Sequence, residues 1–157
     1  MLTIGREILD AIIAHARRDH PEEACGIVAG PEGSDTAVRH IPMDNADRSM
    51  TFFRFDPAEQ LRVWREMDDR DEYPAVIYHS HTATEPYPSR TDIDIAGYPE
   101  AHYLLVSTRD PERDEFRSFR IVDKQVTEEP VRVVDGTEVT TYMFGQSPAT
   151  VDYECPA

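Results

Sequence analysis

Ala75-Val76-Ile77-Tyr78-His79-Ser80-His81, continuing through Thr82-Ala83-Thr84-Glu85-Pro86-Tyr87-Pro88-Ser89-Arg90-Thr91-Asp92, is the stretch from which the rest of the chain can be read. Ala75 to Tyr78 is a short β-type run that leads straight into a His-x-His pair. Residues two apart on a strand point to the same side, so His79 and His81 can present both imidazoles to one point. Ser89 to Ala96 reads as a short helix ended by Gly97 and Pro99. A loop and the first turn of that helix can bring Asp92 back as a third ligand. Imidazole nitrogen and carboxylate oxygen both suit Zn²⁺. Three protein ligands leave one tetrahedral position open for water, the arrangement of a catalytic rather than a structural zinc.

Each part is bland alone. A His-x-His pair is more often a hydrogen-bonded or solvated strand pair, and Ser89-x-x-Asp92 alone is more often a helix capping box. Together, His, His, Ser and Asp at these fixed spacings arise by chance on the order of once in several thousand chains of this size. A helix start at Ser89 also fixes the direction of Asp92, so the capping and ligand readings are compatible.

Working outward, residues 3–19 read as a helix, with Ile4, Ile8, Ala11, Ile12 and Ala16 on one face and Thr3 as its N-cap. Ala24 to Ala29 suggests a buried strand closed by Gly30-Pro31, and Val38 to Met43 a second. Asp56-Pro57-Ala58-Glu59 has the residues of a helix start. Leu61, Trp64 and Met67 continue it as an apolar stripe to about Asp68. Tyr103 to Val106, Phe116 to Val122 and Val131 to Val134 read as strands, and Thr137 to Phe144 could extend one. Gln146 to Ala157 reads as a tail. The pattern implies a mixed α/β domain.

A length of 157 residues suits one domain with a proper core. Hydrophobic residues at 39% and charged residues at 30% exclude a disordered chain. A net charge of −15 disfavours nucleic acid and anionic membrane surfaces as partners. No apolar stretch approaches the length of a membrane span, and Arg6 and Glu7 interrupt any signal-peptide pattern. A soluble cytoplasmic protein is the expectation. Cys25 lies in an apolar run and is expected to be a buried free thiol; with Cys155 far away, no disulfide framework or CxxC knuckle exists. Lys124 is the only lysine, a bias without a functional account. Oligomeric state cannot be read from the sequence.

A zinc hydrolase also needs a general base, because the attacking water must lose a proton and the leaving amine must gain one. Glu23, in Pro21-Glu22-Glu23-Ala24-Cys25-Gly26, is the candidate where the first buried strand begins. Position alone favours a surface-exposed Glu23, and Glu22 competes for the role.

These residues resemble the JAMM, or MPN-plus, metalloproteases. The signature of that family is His-x-His-x7-Ser-x2-Asp preceded by a distant Glu, often as Glu-x-Cys-Gly. His79, His81, Ser89 and Asp92 match it, and Glu23-Ala24-Cys25-Gly26 matches the upstream element and selects Glu23 over Glu22. The resemblance implies a mixed β-sheet flanked by helices, related to the cytidine deaminases. It assigns Zn²⁺ to His79, His81 and Asp92, proton transfer to Glu23, and a hydrogen bond to the developing oxyanion to Ser89. The deaminases' zinc Cys-x-x-Cys is missing, which disfavours deamination. His20-Pro-Glu-Glu-Ala-Cys-Gly26, His40-Ile-Pro-Met-Asp-Asn-Ala46 and Leu105-Val-Ser-Thr-Arg-Asp-Pro111 further resemble small bacterial peptidases of this family. Their substrate is a ubiquitin-like sulfur-carrier protein whose C-terminal Gly-Gly is amide-linked to cysteine. The resemblance covers roughly residues 3–134, so residues 1–134 are expected to form the metalloprotease domain and 135–157 a C-terminal extension, in part disordered. The alternatives are a JAMM peptidase that processes other ubiquitin-like sulfur carriers, and a noncatalytic MPN scaffold.

Overall fold

The computed structural model describes residues 1–144 and, as backbone only, 150–153. Strand β1 (Leu2–Gly5) runs directly into helix α1 (Arg6–Asp19). This corrects the helix expected from residue 3. Thr3 lies in a strand, opposite Thr36 on one side and Arg132 on the other, and Gly5 holds the N-cap position without a side-chain bond. The Ile4–Ile8 spacing imitates a helical turn, but Leu2 and Ile4 alternate inward with the period of a strand. Leu9, Ile12, Ile13 and Ala16 are the apolar residues that α1 buries.

The next elements are β2 (Cys25–Pro31), β3 (Thr36–Ala37), β4 (Arg39–Met43) and α2 (Pro57–Asp69). The Asp56 carboxylate accepts the Glu59 amide at 2.9 Å and Pro57 stands in the first turn, as the sequence predicts. The Glu59 side chain does not close a capping box on Asp56; it accepts the Asp44 amide at 2.9 Å. Val63 and Met67 are the residues α2 buries, whereas Leu61 is exposed.

Then come β5 (Glu72–His81), α3 (Arg90–Ile95), β6 (His102–Ser107), β7 (Glu115–Val122) and β8 (Gln125–Glu129). Strands β4-β2-β5-β6-β7-β8 form a six-stranded mixed sheet in that order. Helix α1 packs on one face, sharing a core with Val28, Val76, Leu104 and Val106. On the other face, α2 packs over Ile27 and Ala29, and Ile93 of α3 over Ile77, Tyr103 and Leu105. A mixed sheet flanked by helices is thus observed, as expected.

A second sheet of five strands lies beside it, in the order β11-β10-β9-β1-β3. Its remaining members are β9 (Val131–Asp135), β10 (Glu138–Tyr142) and β11 (Thr150–Tyr153). Leu2, Ile4, Val131 and Val133 join the core under α1, so this helix is shared by both sheets. β10 pairs antiparallel with β9 and with β11, so Thr150 to Tyr153, expected within the tail, are a strand. Residues 145–149 and 154–157, including Cys155, lie outside the described residues. Among the described residues, no helix is long and apolar enough to cross a membrane.

The site is positioned by β5 and β6, which are parallel and joined through α3. Ligand sites in open α/β sheets lie beyond the carboxyl ends of such strands. β5 is fixed against β2 by a close approach. A Cβ on Gly26 would lie 2.4 Å from the Tyr78 hydroxyl oxygen. That hydroxyl is held between His15 Nδ1 at 2.7 Å and His40 Nε2 at 2.8 Å, so the ring cannot simply swing away. Gly26→Ala is expected to destabilise the protein by about 1–3 kcal/mol through overpacking, read as a lowered urea midpoint. An unchanged midpoint would mean that Tyr78 yields freely.

Candidate metal centre and active site

His79 and His81 both point from β5 to the same face, and both are buried. Asp92 reaches them from the first turn of α3. Ser89 caps that helix by a capping box: its hydroxyl oxygen accepts the Asp92 amide at 3.1 Å, and its own amide donates to Asp92 Oδ2 at 2.8 Å. The capping reading of Ser89-x-x-Asp92 therefore holds, and it is compatible with Asp92 as a ligand.

The three ends converge. His79 Nε2 and His81 Nε2 are 3.3 Å apart, and each lies 3.1 Å from Asp92 Oδ2. A tetrahedral ion with bonds of about 2.0–2.1 Å sets its ligand atoms roughly 3.3 Å apart. The triangle thus has the dimensions of three corners of such a site, and it is the one His/Cys/Asp/Glu group among the described residues that could hold a metal ion.

Tautomers agree with this. His81 Nδ1 lies 3.0 Å from the Glu85 carbonyl oxygen, which can only accept, so Nδ1 carries the hydrogen. In the neutral ring, Nε2 then turns a lone pair toward Asp92 and His79. His79 Nδ1 is buried with no partner, so no hydrogen bond orients that ring from the side away from the triangle. Phe53 does so instead, stacked on it at 4.4 Å between centroids and 23° between planes.

Without a cation, a proton must mediate. Burial lowers the pKa of His79, against its bond to Asp92. Burial also opposes charge on His81, but bonds to Asp92 and the Glu85 carbonyl outweigh it and raise its pKa. For Asp92, burial works upward, yet the two imidazoles and the Ser89 amide hold it well below the usual carboxylate range.

Glu23 is buried, at 4% exposure, which overturns the surface position favoured by sequence position alone. Glu22 is only half-buried and lines an acidic hollow with Asp19, Asp44 and Glu59. Glu23 Oε2 has no partner. Burial first, and the Asp92 charge in addition, raise the Glu23 pKa to about 7, while His81 pulls it down. A cleft of about 300 Å³, walled by Phe53, Phe55, Tyr98, Tyr103 and Leu105, opens beside His79 and Asp92. Sequence reasoning missed Phe53, which lies in no recognisable spacing and meets His79 only once its loop is packed. Cys25 is a buried free thiol, as expected, with its pKa pushed up by burial.

Residues 5–122 match the family described as prokaryotic homologues of the JAB domain. The CysO-cysteine peptidase of Mycobacterium tuberculosis (strain ATCC 25618 / H37Rv) is 67% identical over 135 residues, covering 86% of this chain and 92% of that protein. Among solved structures, protein DSY2949 from Desulfitobacterium hafniense aligns with a TM-score of 0.76 at 33% identity, covering 86% of this chain and 94% of that one. A JAB1/MPN domain protein of Archaeoglobus fulgidus, AF2198, shares the fold with a TM-score of 0.57 at 18% identity, over 85% of this chain and all of that one (100%).

The raised pKa of Glu23 has a consequence for stability. Between about 4.5 and about 7 the folded protein keeps a proton that the unfolded chain has lost, so stability from this group falls as pH rises through that window. In chelator-stripped protein, Glu23→Gln is therefore expected to raise the melting temperature at about pH 8 and to change it little at about pH 4. Thermal melts at the two pH values check this; an equal effect at both would mean that Glu23 is not the group concerned.

Proposed function

Because the chain belongs to the family of prokaryotic homologues of the JAB domain, we propose that it is a zinc-dependent peptidase that releases cysteine from the C-terminal Gly-Gly of a ubiquitin-like sulfur-carrier protein. The observation that carries the reaction class is the buried His79–His81–Asp92 triangle with Glu23 beside it. Support for the substrate is the 67% identity to a CysO-cysteine peptidase over most of both chains.

His79 Nε2, His81 Nε2 and Asp92 Oδ2 would hold the ion. When bound, zinc supplies a Lewis acid for the scissile carbonyl and lowers the pKa of a water that it holds. Glu23 accepts the proton of the attacking water and passes it to the leaving cysteine nitrogen. A carboxyl whose pKa lies near neutrality can both take and return a proton there. Ser89 is exposed, and its oxygen already accepts the Asp92 amide, which leaves its O–H to donate to the developing oxyanion. A Gly-Gly tail, lacking side chains, can thread a narrow approach to these groups and be held by main-chain hydrogen bonds. A free thiol at Cys25 is in keeping with a reducing, cytoplasmic setting.

Incubation with a panel of carrier–amino-acid adducts tests the substrate. Release of cysteine from the carrier–cysteine adduct is expected; an intact carrier–cysteine adduct beside a cleaved adduct of another carrier would overturn it. Protein purified without chelator is expected to hold stoichiometric zinc, and its absence would favour a noncatalytic scaffold. Glu23→Gln is expected to keep zinc and lose about two to four orders of magnitude in kcat, the scale of a lost general base. Ser89→Ala is expected to lose about a hundredfold, the scale of a missing oxyanion donor. Near-normal turnover by either variant in a steady-state assay would remove that residue from the mechanism.

A further inference from the structure

We propose that Asn45 is the positioning residue that sets the Glu23 carboxylate against the metal centre. The proposal rests on the reading of Glu23 as the general base. It starts from the carboxylate itself: Glu23 Oε2 has no partner, so no hydrogen bond at that oxygen aims the group, and the placement of its main chain matters the more. The main chain at Glu23 is gripped from two sides. On the strand side, the Ala24 amide donates to Ser80 Oγ at 2.8 Å and the Ser80 amide returns to the Ala24 carbonyl at 3.0 Å. Ser80 stands between His79 and His81, so this grip ties the base to the ligand strand.

On the other side stands the loop after β4. The Glu23 amide donates to the Ser49 carbonyl at 2.8 Å. The Glu23 carbonyl accepts from Asn45 Nδ2 at 3.0 Å. Asn45 is 8% exposed, and its amide is fully used. Nδ2 also donates to the Phe52 carbonyl at 2.9 Å, while Oδ1 accepts the Asp47 amide at 3.1 Å and the Arg54 amide at 3.3 Å. A buried amide with all four bonds made cannot turn without leaving one unmet, so its direction is fixed. The same side chain thus folds the 45–54 loop onto itself and presses that loop onto Glu23. The four side-chain bonds of Asn45 go to Glu23, Phe52, Asp47 and Arg54, and none of them to His79, His81 or Asp92. A displacement of about 1 Å at a reacting group is enough to cost on the order of a hundredfold in rate.

The test combines Asn45→Ala and the isosteric Asn45→Asp, which keeps an acceptor and loses both donations. At saturating zinc, each is expected to lower kcat on the carrier–cysteine adduct by about ten- to a hundredfold, with KM changed by less than about threefold. Placed in a Glu23→Gln background, Asn45→Ala is expected to lower kcat by less than about threefold more, because the group it positions is already gone. A merely structural role would multiply the two losses. Amide hydrogen exchange reads the same contact without substrate: the Glu23 and Ala24 amides are expected to exchange at least about tenfold faster in both variants. Multiplicative losses in the double variant, or unchanged exchange at Glu23 and Ala24, would overturn the proposal. If the parent protein cleaved no adduct, the proposed function would fail on that result, and the exchange rates would still decide the role of Asn45.

Discussion

Three electron-rich atoms held within 3.3 Å of one another on buried side chains repel unless positive charge lies among them. Much of the structure near the centre of the large sheet can be understood as holding His79, His81 and Asp92 in that condition. β5 supplies two of the groups on one face because the strand period is two. α3 supplies the third because a capping box fixes its first turn. The Glu85 carbonyl sets the His81 tautomer and Phe53 sets the His79 plane. Each support acts on a different degree of freedom, which is what a preorganised metal centre requires.

The opposite face of β5 carries a matching set of constraints. Tyr78, one residue before His79, is buried under α1 and bonded on two sides by histidines. Only a residue without a Cβ can stand opposite it, which gives the Gly of Glu-x-Cys-Gly a packing reason rather than a catalytic one. The glutamate three positions earlier depends on the same β2–β5 pairing. If β2 slipped by one residue, Gly26 would leave Tyr78, and the Ala24–Ser80 bonds that hold Glu23 near His79 and His81 would break together.

Legibility in the sequence followed the range of the interactions. The His79–Asp92 stretch is local, so period-two geometry and helix capping brought the ligand set within reach of arithmetic on residue spacing. Glu23 lies far away in sequence; its burial depends on β2 pairing with β5, and only a resemblance selected it over Glu22. Thr3 reads as a helix N-cap because two isoleucines four apart fit a helix as well as alternate residues fit a strand, and pairing to β9 and β3 decides for the strand. β8 is not legible in the sequence because its hairpin turns through Asp123 and Lys124, both at positive φ, without the Asn-Gly or Asp-Gly that announces such turns. Asn45 and Phe53 act through tertiary contacts alone, so no spacing marks them.

The other histidines show what separates a ligand from a structural side chain. His15 and His40 share the Tyr78 hydroxyl, and His20 meets Thr108 Oγ1 at 2.7 Å. His102 is buried between Glu129 and Asp35, and there each ring nitrogen faces its own carboxylate. Burial opposes charge on Glu129, but His102 and Ser118 hold its carboxyl down to about 2, and Arg120 and the N-terminal ammonium stand against the same acids. At His102, the two ring nitrogens meet two different carboxylates on opposite sides of the ring, so their directions diverge. At His79 and His81, two ring nitrogens and a carboxylate oxygen face one common point instead. Burial and a nearby acid are thus shared by both kinds of histidine. Convergence of unshared lone pairs on one point is the feature that distinguishes the metal centre.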